Sequence, residues 1–191
     1  MNNGKPLCID LFCGYGGWAK GFSDAGYRVI GFDNEIKCKP HYEANGGEFV
    51  LADVRTLDGH RFSKATVIVA SPPCTEFTQI KRLFAGRWGV FPHPEEGLKL
   101  VEEAARIAKE AGVPLVLENV RGAFDYINPI LGNPVGRHPW YLWGDVPLLA
   151  TGKWPKRAIV NVTRRRRDNH GAARAIIPYP LARALAEACK P

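Results

Sequence analysis

Short apolar segments that alternate with helix-like stretches constrain the fold of this chain more than any other feature. Strand-like segments cover residues 7–12, 28–32, 49–52, 66–70 and 115–117. Weaker strand candidates cover residues 140–143 and 158–162, and helical patterns cover residues 18–25, 94–111 and 178–189. Strands and helices in this order predict an α/β fold, with an open, mostly parallel sheet and helices on both faces.

The composition is that of a globular domain. The 191 residues are 46% hydrophobic and 24% charged, and a chain of this length buries a full core without metals or disulfides. The apolar runs are far shorter than the roughly 20 residues of a membrane span, and the N-terminus lacks the apolar core of a signal peptide. The five cysteines show no CxxC spacing. We therefore expect no membrane insertion, no disulfide framework, no metal site, and a reducing compartment, the cytoplasm.

The net charge of +7 is concentrated in one part of the chain. Residues 151–174 contain eight lysines and arginines and a single acidic residue, whereas the rest of the chain is neutral. Four arginines, Arg164, Arg165, Arg166 and Arg167, are adjacent there. A neutral body with one cationic segment indicates a polyanionic partner that docks at that segment. A solvated basic loop without a partner is the alternative interpretation.

Glycines and acids follow the first three predicted strands. Gly14, Gly16 and Gly17 come directly after the first strand, where a glycine turn lets the backbone approach a ligand closely. Asp33 ends the second strand, at the position that typically binds a ribose hydroxyl, and Asp53 follows the third. A tight turn and a helix-capping aspartate are the structural alternatives. Taken together, the three features favour a nucleoside-containing ligand.

Two further residues carry reactive groups at the ends of the next strands. Cys74 follows two prolines that stiffen the chain after the fourth strand, in a loop where its thiol can be reached. Glu118 ends the apolar fifth strand, where desolvation would raise its pKa toward values useful for proton donation. The other four cysteines are interpreted as small buried hydrophobic residues. For Glu118 the alternative is an exposed residue that begins a loop.

These motifs, in this order and spacing, resemble those of the S-adenosylmethionine-dependent cytosine-C5 DNA methyltransferases. The motifs are Asp-Leu-Phe-Cys-Gly-x-Gly-Gly, Asp33-Asn34, Asp53, Pro-Pro-Cys and Glu-Asn-Val. The resemblance extends to the C-terminal helix, because residues 174–182 look like the family's last motif, which closes the cofactor site. It implies a Rossmann-like methyltransferase, a single catalytic domain over residues 1–191, S-adenosylmethionine as cofactor and double-stranded DNA as partner.

The resemblance also implies roles for individual residues. Cys74 would attack carbon 6 of a flipped cytosine, while Glu118 would hold nitrogen 3 and the amino group. Arg137 would contact the base or the DNA backbone. Phe12 would stack on adenine, the glycines would approach the methionine end, Asp33 would bind the ribose and Asp53 the adenine. The remaining residues implied at the cofactor site are Asn34, Val54 and Pro73.

The resemblance further implies residues that bind nucleic acid. They are Lys81, Arg82, Arg87 and the four arginines 164–167. Lys81, Arg82 and Arg87 belong to the loop 79–93, which would close over the flipped base.

The sequence departs from the family pattern at three places. Pro139 replaces the second arginine of an Arg-x-Arg element, whose charge Arg164 to Arg167 would supply instead. Arg174-Ala175 replaces Gly-Asn in the last motif. An arginine near the methionine end of the methyl donor could pair with a carboxylate, so a donor other than S-adenosylmethionine is an alternative. Residues 145–173 form a short basic segment in place of a recognition domain, which predicts a short or loose target sequence and strongly salt-dependent binding.

Three other functions remain open on the sequence alone. The same chemistry on RNA, such as transfer RNA, is compatible with the basic segment because both polymers present phosphates. A non-enzymatic nucleic-acid-binding homologue would not need Cys74 and Glu118. A Rossmann-type oxidoreductase would carry Gly-x-Gly-x-x-Gly, which this glycine turn does not match.

Overall fold

The computed structural model describes residues 4–77, 93–137, 139–149 and 176–191. A seven-stranded sheet with the order β3-β2-β1-β4-β5-β7-β6 forms its centre. The strands are β1 (Leu7–Leu11), β2 (Arg28–Asp33), β3 (Glu48–Leu51), β4 (Val67–Ala70), β5 (Leu115–Asn119), β6 (Val135–Arg137) and β7 (Trp140–Gly144). All pairings are parallel except those of β7, which is antiparallel to β5 and β6. The predicted open, mostly parallel sheet is confirmed.

Helices cover both faces of the sheet. They are α1 (Gly17–Asp24), α2 (Lys39–Ala44), α3 (Pro94–Ala111), α4 (Phe124–Leu131) and α5 (Tyr179–Ala188). Successive side chains of a strand point to opposite faces, so Cys8 belongs to the core beneath α1 and α5, whereas Ile9 belongs to the core beneath α3 and α4. Two apolar clusters, one on each face, therefore hold the layers together.

Glycines set how closely the layers approach. A Cβ atom on Gly21 of α1 would lie 2.5 Å from the backbone of Ala182 in α5. The two helices therefore pack with their backbones almost in contact, and α5 is fixed against the helix that follows the glycine turn. Helix α3 has the predicted bounds, since Pro94 begins it and Gly112, at φ 65°, ends it.

Several element ends depart by one or two residues from the sequence predictions, and four differences have a clear physical cause. Strand β1 ends at Leu11, one residue early, because Phe12 has a left-handed backbone with φ 56°. Helix α2 has six residues and β6 has three, which is too short to show a periodic pattern. Helix α4 contains Pro129, and a proline inside a segment argues against a helix when only the sequence is considered. The strand candidate at residues 158–162 lies outside the described residues.

Two findings concern the cysteines and the membrane. All five cysteines are free. In the part of the chain that the structure describes, no helix combines the length and hydrophobicity needed to cross a bilayer.

Candidate active site

The register of the parallel strands brings the predicted site residues to one edge of the sheet. Leu11 pairs with Phe32 and with Ala70, and Ala70 pairs with Leu117. The residues that follow these four positions therefore lie at the same level, near the strand ends; they are Phe12, Asp33, Ser71 and Glu118. This is the carboxyl edge, where open α/β sheets bind their ligands.

A cavity of about 630 Å³ opens at this edge, a size typical of small-molecule sites. Nine of the predicted residues line it: Phe12, Gly14, Gly17, Asp33, Asn34, Asp53, Val54, Pro73 and Cys74. The cavity thus runs from the glycine turn to the cysteine loop. Gly16 is not among the lining residues, because its α-carbon faces Tyr42 and Asn45 of the α2 region.

The glycine turn is held by the second strand. The backbone N–H of Gly14 donates to Oδ2 of Asp33 over 2.9 Å, and the N–H of Glu35 donates to Oδ1 over 2.9 Å. Asp33 therefore caps no α-helix; it fixes the turn and keeps its carboxylate at the cavity. Phe12 and Gly14, with φ of 56° and 49°, are both in the left-handed region. Such a conformation is rare for a phenylalanine and is concentrated at functional sites.

Asp53 has a protein partner in Arg55. It begins a short 3-10 helix, Val54–Thr56, and accepts from the backbone N–H of Arg55 over 3.0 Å. The Arg55 guanidinium also pairs with the carboxylate and, together with the backbone hydrogen bond, lowers the pKa of Asp53. The carboxylate is thus ionised at neutral pH and able to accept a hydrogen bond from an amino group.

The buried Glu118 affects the ionisation of Cys74. Glu118 is only 8% exposed, and burial raises its pKa to about 8. Burial also raises the pKa of the Cys74 thiol, and the charge of Glu118 raises it further. The two groups are therefore close enough to interact, and at neutral pH Glu118 is mainly a neutral acid that can donate a proton.

The base of the loop after Cys74 is also defined. Oε2 of Glu76 accepts the backbone N–H of His93 over 2.8 Å. A Cβ on Gly97 would lie 2.7 Å from the ring of the buried Phe77. These contacts join the two ends of residues 78–92. Lys81, Arg82 and Arg87 belong to that stretch and lie outside the described residues, as do Arg164, Arg165, Arg166, Arg167 and Arg174-Ala175.

Arg137 is placed only by its backbone. Strand β6 runs parallel to β5 across the intervening β7, with Val135 paired to Leu142 and Leu142 paired to Glu118. The register therefore puts the end of β6, at Arg137, toward the same carboxyl edge. Its side chain is not among those described.

Several lining residues were missed from the sequence. They include Tyr15, Trp18, Arg55, Ser71, Lys99, Ile176 and Ile177. Ile177 closes the glycine end, because a Cβ on Gly17 would lie 2.5 Å from its backbone nitrogen. The resemblance to the last motif signals this closure, whereas Trp18 and Ser71 carry no separate motif.

One group of side chains has metal-ligand chemistry. Ligand atoms of Asp58, His60 and Glu110 lie within 4.8 Å of one another at the surface. Each acid already has a protein partner: Asp58 accepts from His60, and Glu110 accepts from Arg106 and from the N–H of Gly59. These contacts account for the cluster as a structural feature.

Comparison with known proteins identifies the family of this chain. The family described as C-5 cytosine-specific DNA methylase matches residues 7–128, which is more than half of the 191 residues. The chain belongs to this family, which confirms the resemblance seen in the sequence. The matched region includes the glycine turn, Cys74 and Glu118.

Individual relatives are type II enzymes that are much longer. The chain is 30% identical over 140 residues to the type II methyltransferase M.SsoII of Shigella sonnei, covering 71% of this chain and 33% of that protein. It is 32% identical over 116 residues to M.DsaV of Dactylococcopsis salina, covering 60% of this chain and 31% of that protein. The chain thus spans about a third of the length of the curated relatives it matches. The methyltransferase EhMeth of Entamoeba histolytica has a similar fold, with a TM-score of 0.50 at 15% identity over 78% of this chain and 56% of that chain.

Proposed function

We propose that this protein transfers a methyl group from S-adenosylmethionine to carbon 5 of cytosine in double-stranded DNA. The observation that carries the proposal is that Cys74 lines a cavity of nucleoside size and that the buried Glu118 lies close enough to raise the pKa of its thiol. Family membership and the type II relatives support DNA as the substrate.

The proposed chemistry begins at the cysteine. Carbon 5 of cytosine is a poor nucleophile, so the Cys74 thiolate adds to carbon 6 and pushes electron density toward carbon 5. Glu118 donates its proton to nitrogen 3, which neutralises the charge that develops on the ring. A pKa of about 8 suits this role, because the acid is protonated at neutral pH and still able to release its proton.

The remaining steps restore the aromatic ring. S-adenosylmethionine would supply the methyl group from its sulfonium to the electron pair of carbon 5, and would leave as S-adenosylhomocysteine. Loss of the carbon-5 proton to water then expels the Cys74 thiolate and leaves 5-methylcytosine, while nitrogen 3 returns its proton to Glu118. The cytosine must leave the base stack to reach Cys74, so the enzyme acts on a flipped base.

The cofactor would lie between the glycine turn and the strand ends. In this proposal Asp33 would bind the ribose hydroxyls, Asp53 the adenine amino group and Phe12 the adenine ring, and all three line the cavity. The neighbouring lining residues Asn34, Val54 and Pro73 would complete the contact surface. The cavity runs on from there to Cys74, as methyl transfer to a base at Cys74 requires.

We further propose that residues 145–173 hold DNA phosphates in place of a separate recognition domain. The excess charge of the whole chain lies within 151–174, and phosphate contacts position a protein without reading sequence. The enzyme should accordingly read a short or loose target. A long, strictly read target sequence would contradict this part of the proposal.

The test is nucleoside mass spectrometry of unmodified duplex DNA incubated with the protein and S-adenosylmethionine. We expect 5-methylcytosine with the unaltered protein, none with Cys74→Ala, and normal product with Cys189→Ser, a half-buried cysteine away from the cavity. If 5-methylcytosine forms only in transfer RNA, the substrate is RNA rather than DNA. No product on either polymer would favour the non-enzymatic nucleic-acid-binding function.

A further inference from the structure

A buried tryptophan orients a serine hydroxyl at the glycine end of the cavity. Nε1 of Trp18 donates to Oγ of Ser71 over 2.9 Å. Trp18 is 2% exposed in the first turn of α1, and Ser71 directly follows β4. Both residues line the cavity. The contact therefore links two cavity walls that are 53 positions apart in the chain.

The donor in this contact determines what the serine can do. An indole N–H only donates, so the Ser71 oxygen must accept, and its own proton stays available. The N–H of Ser71 is held separately by the carbonyl of Leu11 over 3.2 Å. Among the described residues, the bond from Trp18 is the hydrogen bond found at this hydroxyl, and in it the oxygen accepts. Ser71 is thus a fixed hydrogen-bond donor at the cavity.

The surroundings of Ser71 favour a negatively charged group. Gly17 and Trp18, which begin α1, line the cavity together with Ser71, and the first turn of α1 has no acidic side chain and no side-chain cap. The backbone N–H groups of that turn carry partial positive charge. A hydroxyl donor in the same cavity suits a carboxylate, which only accepts hydrogen bonds, rather than an ammonium group, which only donates them.

We propose that Ser71, oriented by Trp18, binds the carboxylate at the methionine end of S-adenosylmethionine. The proposal rests on the proposed function for the identity of the donor. Ser71 precedes the Pro72-Pro73-Cys74 loop, so its hydrogen bond also ties donor binding to the segment that carries the nucleophile. Ser71 is the binding residue and Trp18 its positioning residue.

The test compares two ligands that differ only in the carboxylate. Titration calorimetry would measure S-adenosylmethionine and decarboxylated S-adenosylmethionine against the unaltered protein and Ser71→Ala. Because Ser71→Ala removes a hydrogen bond to a charged group, we expect its affinity for S-adenosylmethionine to fall about tenfold. The affinity for the decarboxylated ligand should stay within about twofold of that of the unaltered protein.

Trp18→Phe should reproduce the ligand-selective loss in weaker form, because the serine hydroxyl is then free to rotate. Trp143→Phe is the matched control, since Trp143 is also buried and donates through Nε1 to Asn128 over 2.9 Å, but it does not line the cavity. Equal losses for both ligands in Ser71→Ala, or no loss for either, would overturn the proposal. If DNA methylation is absent but the ligand-selective loss is seen, the proposed reaction fails and the binding role of Ser71 stands.

Discussion

Asn119 holds the cysteine loop against the strand that carries Glu118. Its side-chain Nδ2 donates to the carbonyl of Pro72 over 3.1 Å, and its Oδ1 accepts the N–H of Val120 over 2.9 Å. Asn119 is fully buried. One amide thus satisfies two backbone groups and fixes Cys74, two residues after Pro72, relative to Glu118.

Replacing Asn119 should disturb both stability and turnover. Asn119→Ala leaves a buried carbonyl without a partner, so we expect the free energy of unfolding to fall by about 1–3 kcal/mol in urea titrations. We also expect kcat to fall with little change in KM for S-adenosylmethionine, because Asn119 positions Cys74 and does not line the cavity. Asn133→Ala is the control, since Asn133 makes an exposed side-chain contact and should change stability by less than about 0.5 kcal/mol. An unchanged kcat in Asn119→Ala would show that the contact does not position Cys74.

The ionisation of Cys74 should depend on Glu118. Burial and the Glu118 charge both raise the pKa of the thiol, and Glu118, with a pKa of about 8, is already ionised where a thiol of raised pKa deprotonates. Glu118→Gln removes that charge, so the pKa of Cys74 should fall and alkylation of the thiol should begin at lower pH. The measurement is the pH profile of iodoacetamide labelling on the Cys74 peptide.

The matched control for that experiment is Glu96→Gln. Glu96 also lines the cavity, but it does not appear among the groups that shift the pKa of Cys74. A labelling profile that is the same in Glu118→Gln and in the unaltered protein would show that the two groups do not interact.

Glu118 should also make stability pH-dependent. Its folded-state pKa of about 8 lies above the ordinary value of 4.5, so the folded state holds a proton that the unfolded state releases. Its contribution is fully present below pH 4.5 and is lost as pH rises to about 8. Between pH 5 and pH 8 the unaltered protein should lose roughly 3 kcal/mol more stability than Glu118→Gln. Asp10, whose pKa burial also raises, contributes equally to both proteins. Parallel stability curves in urea would contradict the burial of this carboxyl group.

The strand ends were predictable from the sequence because parallel pairing repeats the same offset. Once Leu11, Phe32, Ala70 and Leu117 are assigned to strands, the residues that follow them must meet at one edge. The meeting of Asp33, Cys74 and Glu118 therefore required only element order and local pattern. Helix α3 was equally clear, because Pro94 and Gly112 mark both of its ends.

The contacts that join distant segments were not predictable in this way. Trp18 meets Ser71, and Asn119 meets Pro72, through side-chain geometry that leaves no periodic trace. The glycine turn suggests close approach to a ligand, yet Gly17 is also required by Ile177, which is 160 positions away in the chain. Such constraints arise from tertiary packing, which local sequence patterns do not encode.

Gly17→Ala should therefore affect the cofactor site through the C-terminal segment. The added Cβ would lie 2.5 Å from the Ile177 backbone nitrogen, so residues 176–178 must shift away from the cavity that Ile176 and Ile177 line. We expect lower stability and at least a tenfold weaker affinity for S-adenosylmethionine. Gly26→Ala strains the backbone at φ 94° without a steric neighbour, and it should reduce stability alone. Equal affinities in the two variants would show that Ile177 does not shape the site.

The four adjacent arginines should set the salt dependence of DNA binding. Each phosphate contact adds about 0.9 to the slope of log affinity against log salt, so replacing Arg164 to Arg167 with glutamine should flatten the slope by up to about 3.6. Lys109→Gln is the control, because Lys109 lies in the last turn of α3 and does not line the cavity. Fluorescence anisotropy of a labelled duplex between 50 and 200 mM salt, roughly the range over which such slopes are resolved, measures both variants. An unchanged slope in the arginine variant would mean that the DNA phosphates are bound by another surface. A flatter slope with unchanged target preference would assign residues 145–173 to phosphate binding rather than to base recognition.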